Sequence, residues 1–370
     1  MRRVVDVVRD LLLRMLPHPT RPGLRRIGSP GPESPVLLTG NFALTVRRLA
    51  KTLSGYDVWL LLANSNGINV WCAAAGGHLT HHDVIAAIRS SGIESHVAHR
   101  TIVLPQLAAS GVERRVIAER TGWESRWGPA QLADLPAYLD RGLHIRNTWR
   151  AVRFPLRDRL EMAAIWMAPM ALVTLLVVGL VIDGLTGMVA GAIVAVSVPA
   201  IFAAIPWLPV VGPRRWLTYG GAAVVSFGVG ATILAAWGSA ATSGLIALGV
   251  VSVAFPFVLS VDMAGTTPWY PSTINSFRNH FDIELDTSRC NGSAECVQVC
   301  PRNVLWMMGR ERQVEIRDPD ACIRCGACIV QCPEDALRFR FRDGRVVEAP
   351  TVRATRLNML GRRAVEIEES

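Results

Sequence analysis

Eight cysteines are the residues of this 370-residue chain whose type and spacing most directly imply chemistry, and seven of them fall between positions 290 and 332. Cys322, Cys325, Cys328 and Cys332 follow the pattern C-x2-C-x2-C-x3-C and are followed by Pro333. With that spacing a tight loop wraps three thiolates around an iron–sulfur cubane and sends the fourth to a neighbouring cluster. A zinc site would use only part of such a run. The earlier run, Cys290-x5-Cys296-x3-Cys300-Pro301, becomes the same pattern if Ser293 stands at the second ligand position. With the usual crossing of ligands, Cys300, Cys322, Cys325 and Cys328 hold one [4Fe–4S] cluster, and Cys290, Cys296 and Cys332 serve a second site. That second site takes a [3Fe–4S] cluster, takes a [4Fe–4S] cluster with a non-cysteine ligand, or is empty in some molecules. Ser293 then marks either a retuned potential or the decay of a redundant cluster. Thiolates kept available for iron imply a reducing compartment rather than a disulfide framework.

The eighth cysteine, Cys72, stands apart. It follows an apolar strand at Val58–Ala63, a turn at Asn64-Ser65-Asn66-Gly67 and a second short extended run at Ile68–Trp71, and it precedes Ala73-Ala74-Ala75-Gly76-Gly77. A lone cysteine is ordinarily a small buried hydrophobe. Here a thiolate at the edge of a flat surface without side-chain bulk suits a planar macrocycle whose metal is bound from below, because small residues let the ring approach the backbone. His78, His81 and His82 come next. His78 and His82 at helical spacing form a metal-binding face on one reading. On the simpler reading they lie at a solvated helix start, with Thr80 as N-cap and Asp83 three residues on. The Asp-x-His-x-x-Gly pattern of histidine-ligated cobalamin domains is absent.

Several elements must position these groups. Residues 1–35 read as an amphipathic helix, with Val4, Val8, Leu11, Leu12 and Met15 on one face, and a Pro/Gly-rich linker from Pro17 to Pro35. The acidic and basic residues within that first helix exclude a secretory signal. Residues 36–155 alternate β-rich runs (Val36–Leu38, Val58–Leu62, Thr101–Leu104) with helical patterns (Leu44–Leu53, Val84–Ser90, Val112–Arg120, Leu132–Leu139), which predicts a layered α/β domain. Residues 156–262 hold four apolar stretches, Leu160–Ile182, Leu185–Val210, Trp216–Gly238 and Gly244–Val261, each near the ~20 residues that cross a bilayer as helix. A linker (263–282), an α+β dicluster ferredoxin domain of bacterial type (283–345) and a tail (346–370) complete the chain.

Lys plus Arg exceed Asp plus Glu by 39 to 30, a net +9. No basic stripe interleaved with aromatic residues points to nucleic acid. Arg150, Arg153, Arg157 and Arg159 instead precede the first span, and Arg214-Arg215 separate the second from the third. By the positive-inside bias both soluble parts face the cytoplasm of a multi-pass protein of the cell (inner) membrane.

The run Asn69-Val70-Trp71-Cys72-Ala73-Ala74 resembles the signature of the mercury-methylation corrinoid proteins, the HgcA family. The likeness extends to Val36-Leu37-Leu38-Thr39-Gly40-Asn41-Phe42, to Val103-Leu104-Pro105-Gln106-Leu107, to the helix at 132–139, to the spans and to the exit Ala264-Gly265-Thr266-Thr267-Pro268. The C-terminal region is similar to that family's ferredoxin partner, HgcB, so the chain looks like a natural fusion of the two. The resemblance implies a Rossmann-like corrinoid-binding domain, also found in corrinoid iron–sulfur proteins of acetyl-CoA metabolism, with Cys72 as the lower axial cobalt ligand. It implies that Thr39, Gly40, Asn41, Asn69, Val70, Trp71, Ala73 and Ala74 contact the corrinoid.

The resemblance further implies a methyltransferase whose clusters, fed by a low-potential electron donor, reduce cobalt to Co(I). Cobalt then takes a methyl group from a methyltetrahydrofolate-type donor and passes it to Hg(II) or another soft metal or metalloid. Three departures bear on the acceptor. Ala75 and Gly76 stand where the family has Gly-Lys, Ser293 replaces a cluster cysteine, and the tail lacks the family's cysteine pair. The rival expectation is a membrane-anchored, ferredoxin-type electron-transfer protein without methyltransferase activity, for which Cys72 is ordinary packing.

Overall fold

In the computed structural model the described residues are 16–210, 212–261, 263, 267–269, 281–309 and 313–355, with Val5, Arg9, Arg14 and the backbones of 357–358 and 362–363. The amphipathic helix expected before Pro17, the 264–266 part of the exit motif, most of the 263–282 linker and most of the tail beyond 355 lie outside them. The chain divides into two compact units, one holding residues 154–265 and the other holding 16–153 together with 275–370. The cysteine-rich region therefore shares a unit with the N-terminal α/β region, although 112 residues (154 to 265) separate them in sequence.

The N-terminal part of this second unit is built on a five-stranded sheet. Its strands are β1 (Gly23–Ile27), β2 (Val36–Gly40), β3 (Val58–Ala63), β4 (Thr101–Leu104) and β5 (Glu124–Trp127), in the order β1-β3-β2-β4-β5. Strands β2 to β5 run parallel, and β1 pairs antiparallel with β3 at the edge, so the sheet is mixed. Alternation along the strands gives two cores. Val36, Leu38, Leu61, Ala63, Ile102 and Leu104 face one side, and Leu37, Leu60, Leu62 and Val103 face the other. Helices cover both faces: α1 (Ala43–Thr52), α2 (Val70–Gly76), α3 (His81–Ser91), α4 (Arg114–Thr121) and α5 (Leu135–Asp140). After β2 the chain turns to β3 on one side and later crosses to β4 on the other.

Within the α/β region the secondary structure differs from the sequence reading at three places in particular. Within 17–35, read as linker, Gly23–Ile27 forms the edge strand, because an antiparallel edge leaves room on both faces for the exposed Arg25 and Arg26. Strand β5 is only four residues long and alternates exposed Glu124 and Arg126 with buried Ser125 and Trp127, too brief a signal to register as a strand. Val70 and Trp71 are helical rather than extended. Asn69 caps α2 by accepting from the Cys72 N–H at 3.0 Å, and the alanines that follow sustain the turn better than Ile68 and Val70 oppose it.

The first unit contains α6 (Leu156–Val181), α7 (Gly184–Ala204, continued by a short 3-10 turn to Trp207), α8 (Arg215–Ala236) and α9 (Thr242–Val261). All four are long and apolar enough to cross a membrane. Leu172, Leu176, Leu180, Val196 and Val224 are exposed on their outer surfaces, and Trp207, Trp216 and Trp237 are exposed near helix ends, as in the aromatic belts of spanning helices. Asp183 caps α7 by accepting from the Thr186 N–H at 2.8 Å. Below it α6 and α7 touch, since a Cβ on Gly187 would stand 2.5 Å from Gly179 Cα.

In the cysteine-rich region β6 (Phe281–Leu285), β9 (Leu337–Phe341) and β10 (Val346–Val347) form an antiparallel sheet, and β7 (Leu305–Met307) pairs with β8 (Val314–Ile316). Short helices α10 (Glu295–Val299), α11 (Ala327–Gln331) and α12 (Ala349–Ala354) complete it.

The turn between β3 and α2 is held by Asn41, which is 2% exposed. Its Oδ1 accepts from the N–H groups of Ser65 (2.9 Å) and Gly67 (3.1 Å) and from Ser65 Oγ (3.1 Å), while its Nδ2 donates to Thr20 O (2.9 Å). Replacing it with alanine leaves two buried N–H groups without an acceptor. Asn41→Ala should therefore cost about 2–4 kcal/mol, read as a lower unfolding midpoint of the detergent-solubilised chain and faster amide exchange at 65–68. A loss under about 0.5 kcal/mol would mean the turn is held by other contacts.

Candidate functional site

Cys72 lies in the first turn of α2, just beyond the carboxyl end of β3. It is half-buried, and burial pushes its thiol above the ordinary value against a smaller downward pull from Asn69. Without a metal it is a neutral thiol at neutral pH, and coordination must displace its proton. Asn69 is also half-buried, whereas Val70, Trp71, Ala73, Ala74 and Ala75 are buried in the core. The three alanines therefore form no open flat surface. The loop at Gly111 approaches this helix closely, since a Cβ on Gly111 would stand 2.3 Å from Ala74 O. A bulky residue at position 74 would overfill the core whether or not a ring binds. Thr39, Gly40 and Asn41 are likewise buried, and the hydrogen bonds of Asn41 all go to the chain itself.

The histidines follow the simpler of the two readings. Thr80 and Asp83 form a reciprocal capping box, and α3 begins at His81, so His78 and His82 do not share a helical face. The His81 and His82 rings are tilted at 51° with centroids 4.3 Å apart, and His81 Nδ1 lies 3.6 Å from Glu113. Burial holds the His81 imidazole below its ordinary value.

Five of the seven remaining cysteines are buried, and Cys290 and Cys332 are half-buried. Cys300, Cys322, Cys325 and Cys328 together line one cavity, with Ile283, Val304, Leu305, Ile323 and Ala327 as its apolar wall. Cys300 precedes Asn303 and Cys322 precedes Arg324, two residues at positive φ (52° and 56°) that curl the chain over the sulfurs. Backbone N–H groups of Val304 and Arg324 then reach Cys300 Sγ (3.3 Å) and Cys322 Sγ (3.4 Å). Burial pushes the Cys322 thiol up to about 11, and Cys328 rises well above its ordinary value from burial and then from Cys325, Cys322 and Cys300. Four converging thiols in an apolar cavity, with N–H groups aimed at sulfur, fit an iron–sulfur cubane, which would replace their protons with iron. Among the described residues no group of three or more His, Cys, Asp or Glu side chains is arranged for a single metal ion.

Cys290 and Cys332 lie near Cys296. Cys296 is buried, with its thiol pushed up to about 12 by burial and then by Cys332 and Cys290. Ala336 N–H lies 3.3 Å from Cys332 Sγ. Ser293 is exposed, with its N–H donated to Asn291 Oδ1 at 3.0 Å, and it borders a cleft of about 280 Å³ shared with Cys332, Glu295, Gln331, Arg114 and Arg353.

How closely the cysteine-rich region is fastened to the α/β region is visible only in the fold. Val299, Ile323, Cys325 and Ala327 pack into the same apolar core as Trp71, Cys72, Ala108 and Ala109. Gln331, 6% exposed, donates from Nε2 to Ala109 O and to Val112 O, both at 2.8 Å. Arg114 pairs with Glu295 at 2.9 Å, Arg353 approaches Glu113 at 3.5 Å, and Val152 N–H donates to Pro301 O at 2.8 Å. The one available signal was Gln331 itself, a polar spacer between two cluster cysteines.

Comparison with known proteins gives matches for both regions. Residues 15–139 match the family model described as CO dehydrogenase/acetyl-CoA synthase delta subunit, and residues 282–333 match a 4Fe-4S dicluster domain. Similar curated proteins are gamma subunits of the acetyl-CoA decarbonylase/synthase complex. The one from Methanopyrus kandleri is 37% identical over 127 residues, covering 34% of this chain and 27% of the relative. The one from Archaeoglobus fulgidus is 38% identical over 127 residues, with the same 34% and 27% coverage. The Methanocaldococcus jannaschii protein is 36% identical over 135 residues, covering 36% and 26%. The chain thus spans about a quarter of the length of the curated relatives it matches. Its α/β region is a domain of the corrinoid iron–sulfur protein family, joined in one polypeptide through four helices able to span a membrane to a C-terminal 4Fe-4S dicluster ferredoxin domain.

Proposed function

We propose that this protein is a membrane-bound corrinoid iron–sulfur methyltransferase of the mercury-methylation type, whose acceptor is Hg(II) or another soft metal or metalloid. The observation that carries the reading is Cys72: a half-buried thiol at the carboxyl edge of a corrinoid-family domain, packed into one apolar core with the Cys325 turn. Doubly wound α/β sheets bind ligands at that edge, and we read this layered domain as Rossmann-like on the same ground. The Asn69–Ala74 run supports the mercury-methylation assignment by its resemblance to that family. When bound, a corrinoid supplies methyl transfer at cobalt, and iron–sulfur clusters supply its electrons one at a time.

The chain's own residues have separate tasks. Cys72 would be the residue that holds the metal, and Asn69 fixes the helical turn that presents it. Asn41, with Thr39 and Gly40, sets the turn from which α2 starts. Cys300, Cys322, Cys325 and Cys328 would hold one [4Fe–4S] cluster, and Cys290, Cys296 and Cys332 would hold a second, non-standard one. A low-potential reductant and a folate-type methyl donor complete the set of partners.

Cys72→Ala tests the function directly. Loss of the metal–sulfur bond should shift or abolish the corrinoid spectrum and drop methyl transfer to background, while the iron–sulfur signals stay. If Cys72 is ordinary packing, the change should cost about 1 kcal/mol and leave a loaded corrinoid unaltered. A chain that takes up no corrinoid at all would leave the electron-transfer reading.

For the second cluster site, anaerobic protein should contain one ordinary cubane and one three-iron or otherwise non-standard cluster, and Ser293→Cys should convert the latter to a four-iron cluster. Two ordinary cubanes in the unmodified protein, by iron analysis and electron paramagnetic resonance, would rule this out. For topology, a reporter fused at Asp183 should read exterior and one fused after Ser370 should read cytoplasm, as the arginine distribution requires. The reverse of either result would break the four-span arrangement.

A further inference from the structure

Between Cys328 and Cys332 the chain carries a buried carboxamide that none of the cluster chemistry needs. Gln331 sits at the end of α11, is 6% exposed, and divides the two donors of its Nε2 between Ala109 O and Val112 O at 2.8 Å each. Its Oε1 lies 3.5 Å from Arg114 N. Every one of these partners belongs to the α/β region, more than 200 residues away in sequence (separations 217, 219 and 222). A glutamine placed only to fill the cysteine turn would have no reason to reach across, because a buried amide is costly unless its hydrogen bonds are met.

The segment it grips is not an ordinary loop. Gly111, at its centre, lies so close to α2 that a Cβ there would meet Ala74 O at 2.3 Å. Ala108 and Ala109 pack in the core with Trp71 and Cys72. On the other side, Cys325, Ile323 and Ala327 of the cluster turn enter the same core. The 109–112 loop thus lies between the helix that carries Cys72 and the turn that carries the cluster cysteines, fastened to the first by backbone contact and to the second by Gln331.

We infer that Gln331 is a positioning residue for electron passage: its carboxamide clamps the Cys322–Cys328 cluster turn to the 109–112 loop, so that this cluster and the metal at Cys72 are held in one fixed geometry within a single chain. The inference rests on the proposed function and deepens it. The step is a one-electron transfer in which the reduced cluster is oxidised and the cobalt is reduced, the electron having entered from an external low-potential reductant of the Ti(III) or dithionite class. Gln331 touches neither reacting centre. It acts through the distance and orientation between them.

The test uses full-length, detergent-solubilised protein carrying Gln331→Leu, which keeps the side-chain volume and removes both donors. Iron content, cluster spectra and cluster potential should match the parent. Amide exchange at 109–112 should rise by about tenfold or more, the factor expected when a buried hydrogen-bonded contact is lost. With corrinoid loaded and the clusters pre-reduced, the rate of intramolecular cobalt reduction should fall by a comparable or larger factor. The magnetic splitting between the reduced cluster and paramagnetic cobalt should weaken. Arg114→Ala, which removes the Glu295 pair without touching the cysteine turn, should give the same changes more weakly and serves if Gln331→Leu fails to hold iron. Unchanged exchange at 109–112 in these variants would overturn the clamp. Raised exchange with an unchanged reduction rate and splitting would overturn the positioning role. A parent protein that takes up no corrinoid would sink the functional reading, whereas the exchange measurement would still decide the clamp.

Discussion

The contact on which the rest of this molecule depends is a backbone approach that a single methyl group would destroy. Gly111 faces Ala74 so closely that an added Cβ would lie 2.3 Å from a carbonyl oxygen. That approach requires glycine at 111, and the helix it meets, only seven residues long, buries Ala73, Ala74 and Ala75. A helix so short is marginal by itself, and its stability has to come from tertiary contacts. Asn69 at its start, Gly77 in the left-handed region at its end (φ 74°) and the 109–112 loop along its side supply them. Cys72 is thereby held on a fixed element at the carboxyl edge of the sheet.

Much of this organisation was legible in the sequence. The cysteine spacing predicts an iron–sulfur region, and there Cys300, Cys322, Cys325 and Cys328 line one cavity while Cys290 and Cys332 lie near Cys296. The apolar stretches predict four long helices, and four are present, with ends shifted by a few residues. Both signals are strong because each is local: a ligand loop and a bilayer-length helix are specified by their own residues. The readings that differed depended on distant partners. Gly23–Ile27 is a strand only because β3 offers it an edge. Ala73 to Ala75 look like a bare surface until the 109–112 loop lies against them. Gln331 looks like a spacer until the carbonyls it reaches, over 200 residues away, are known.

The thiols carry a further physical consequence. In apolar surroundings, and raising one another, they are neutral unless metal takes their protons. The N–H groups of Val304, Arg324 and Ala336 are already directed at sulfur, an arrangement of greater value to a metal-bound thiolate than to a thiol. The turns around the cysteines thus favour the metal-loaded state in their geometry, and the energy of cluster binding becomes part of the energy that folds the region. The α/β region draws on that as well, because Val299, Cys325 and Ala327 help to complete its core.

The path of the chain makes the docking between the two regions informative. The polypeptide leaves the compact α/β unit near Arg153, passes through the four apolar helices, and returns to the same unit near residue 266. Closing so long an excursion costs chain entropy, although the cost grows only slowly with length. A tether alone would give the ferredoxin part an effective concentration near its partner, of the order of millimolar for a short flexible link. A tethered but mobile partner would suit a carrier that visits several acceptors. Here the interface instead contains a buried, doubly hydrogen-bonded amide, an Arg–Glu pair and cluster-turn residues within a shared core. Directional buried contacts of this kind fix one orientation and penalise others, because any misdocked arrangement leaves the Gln331 donors and the Ala109 and Val112 carbonyls unpaired. On the proposed function, fusion therefore turns a diffusional encounter into a preset geometry, and the electron reaches the Cys72 site by a route that the fold itself defines.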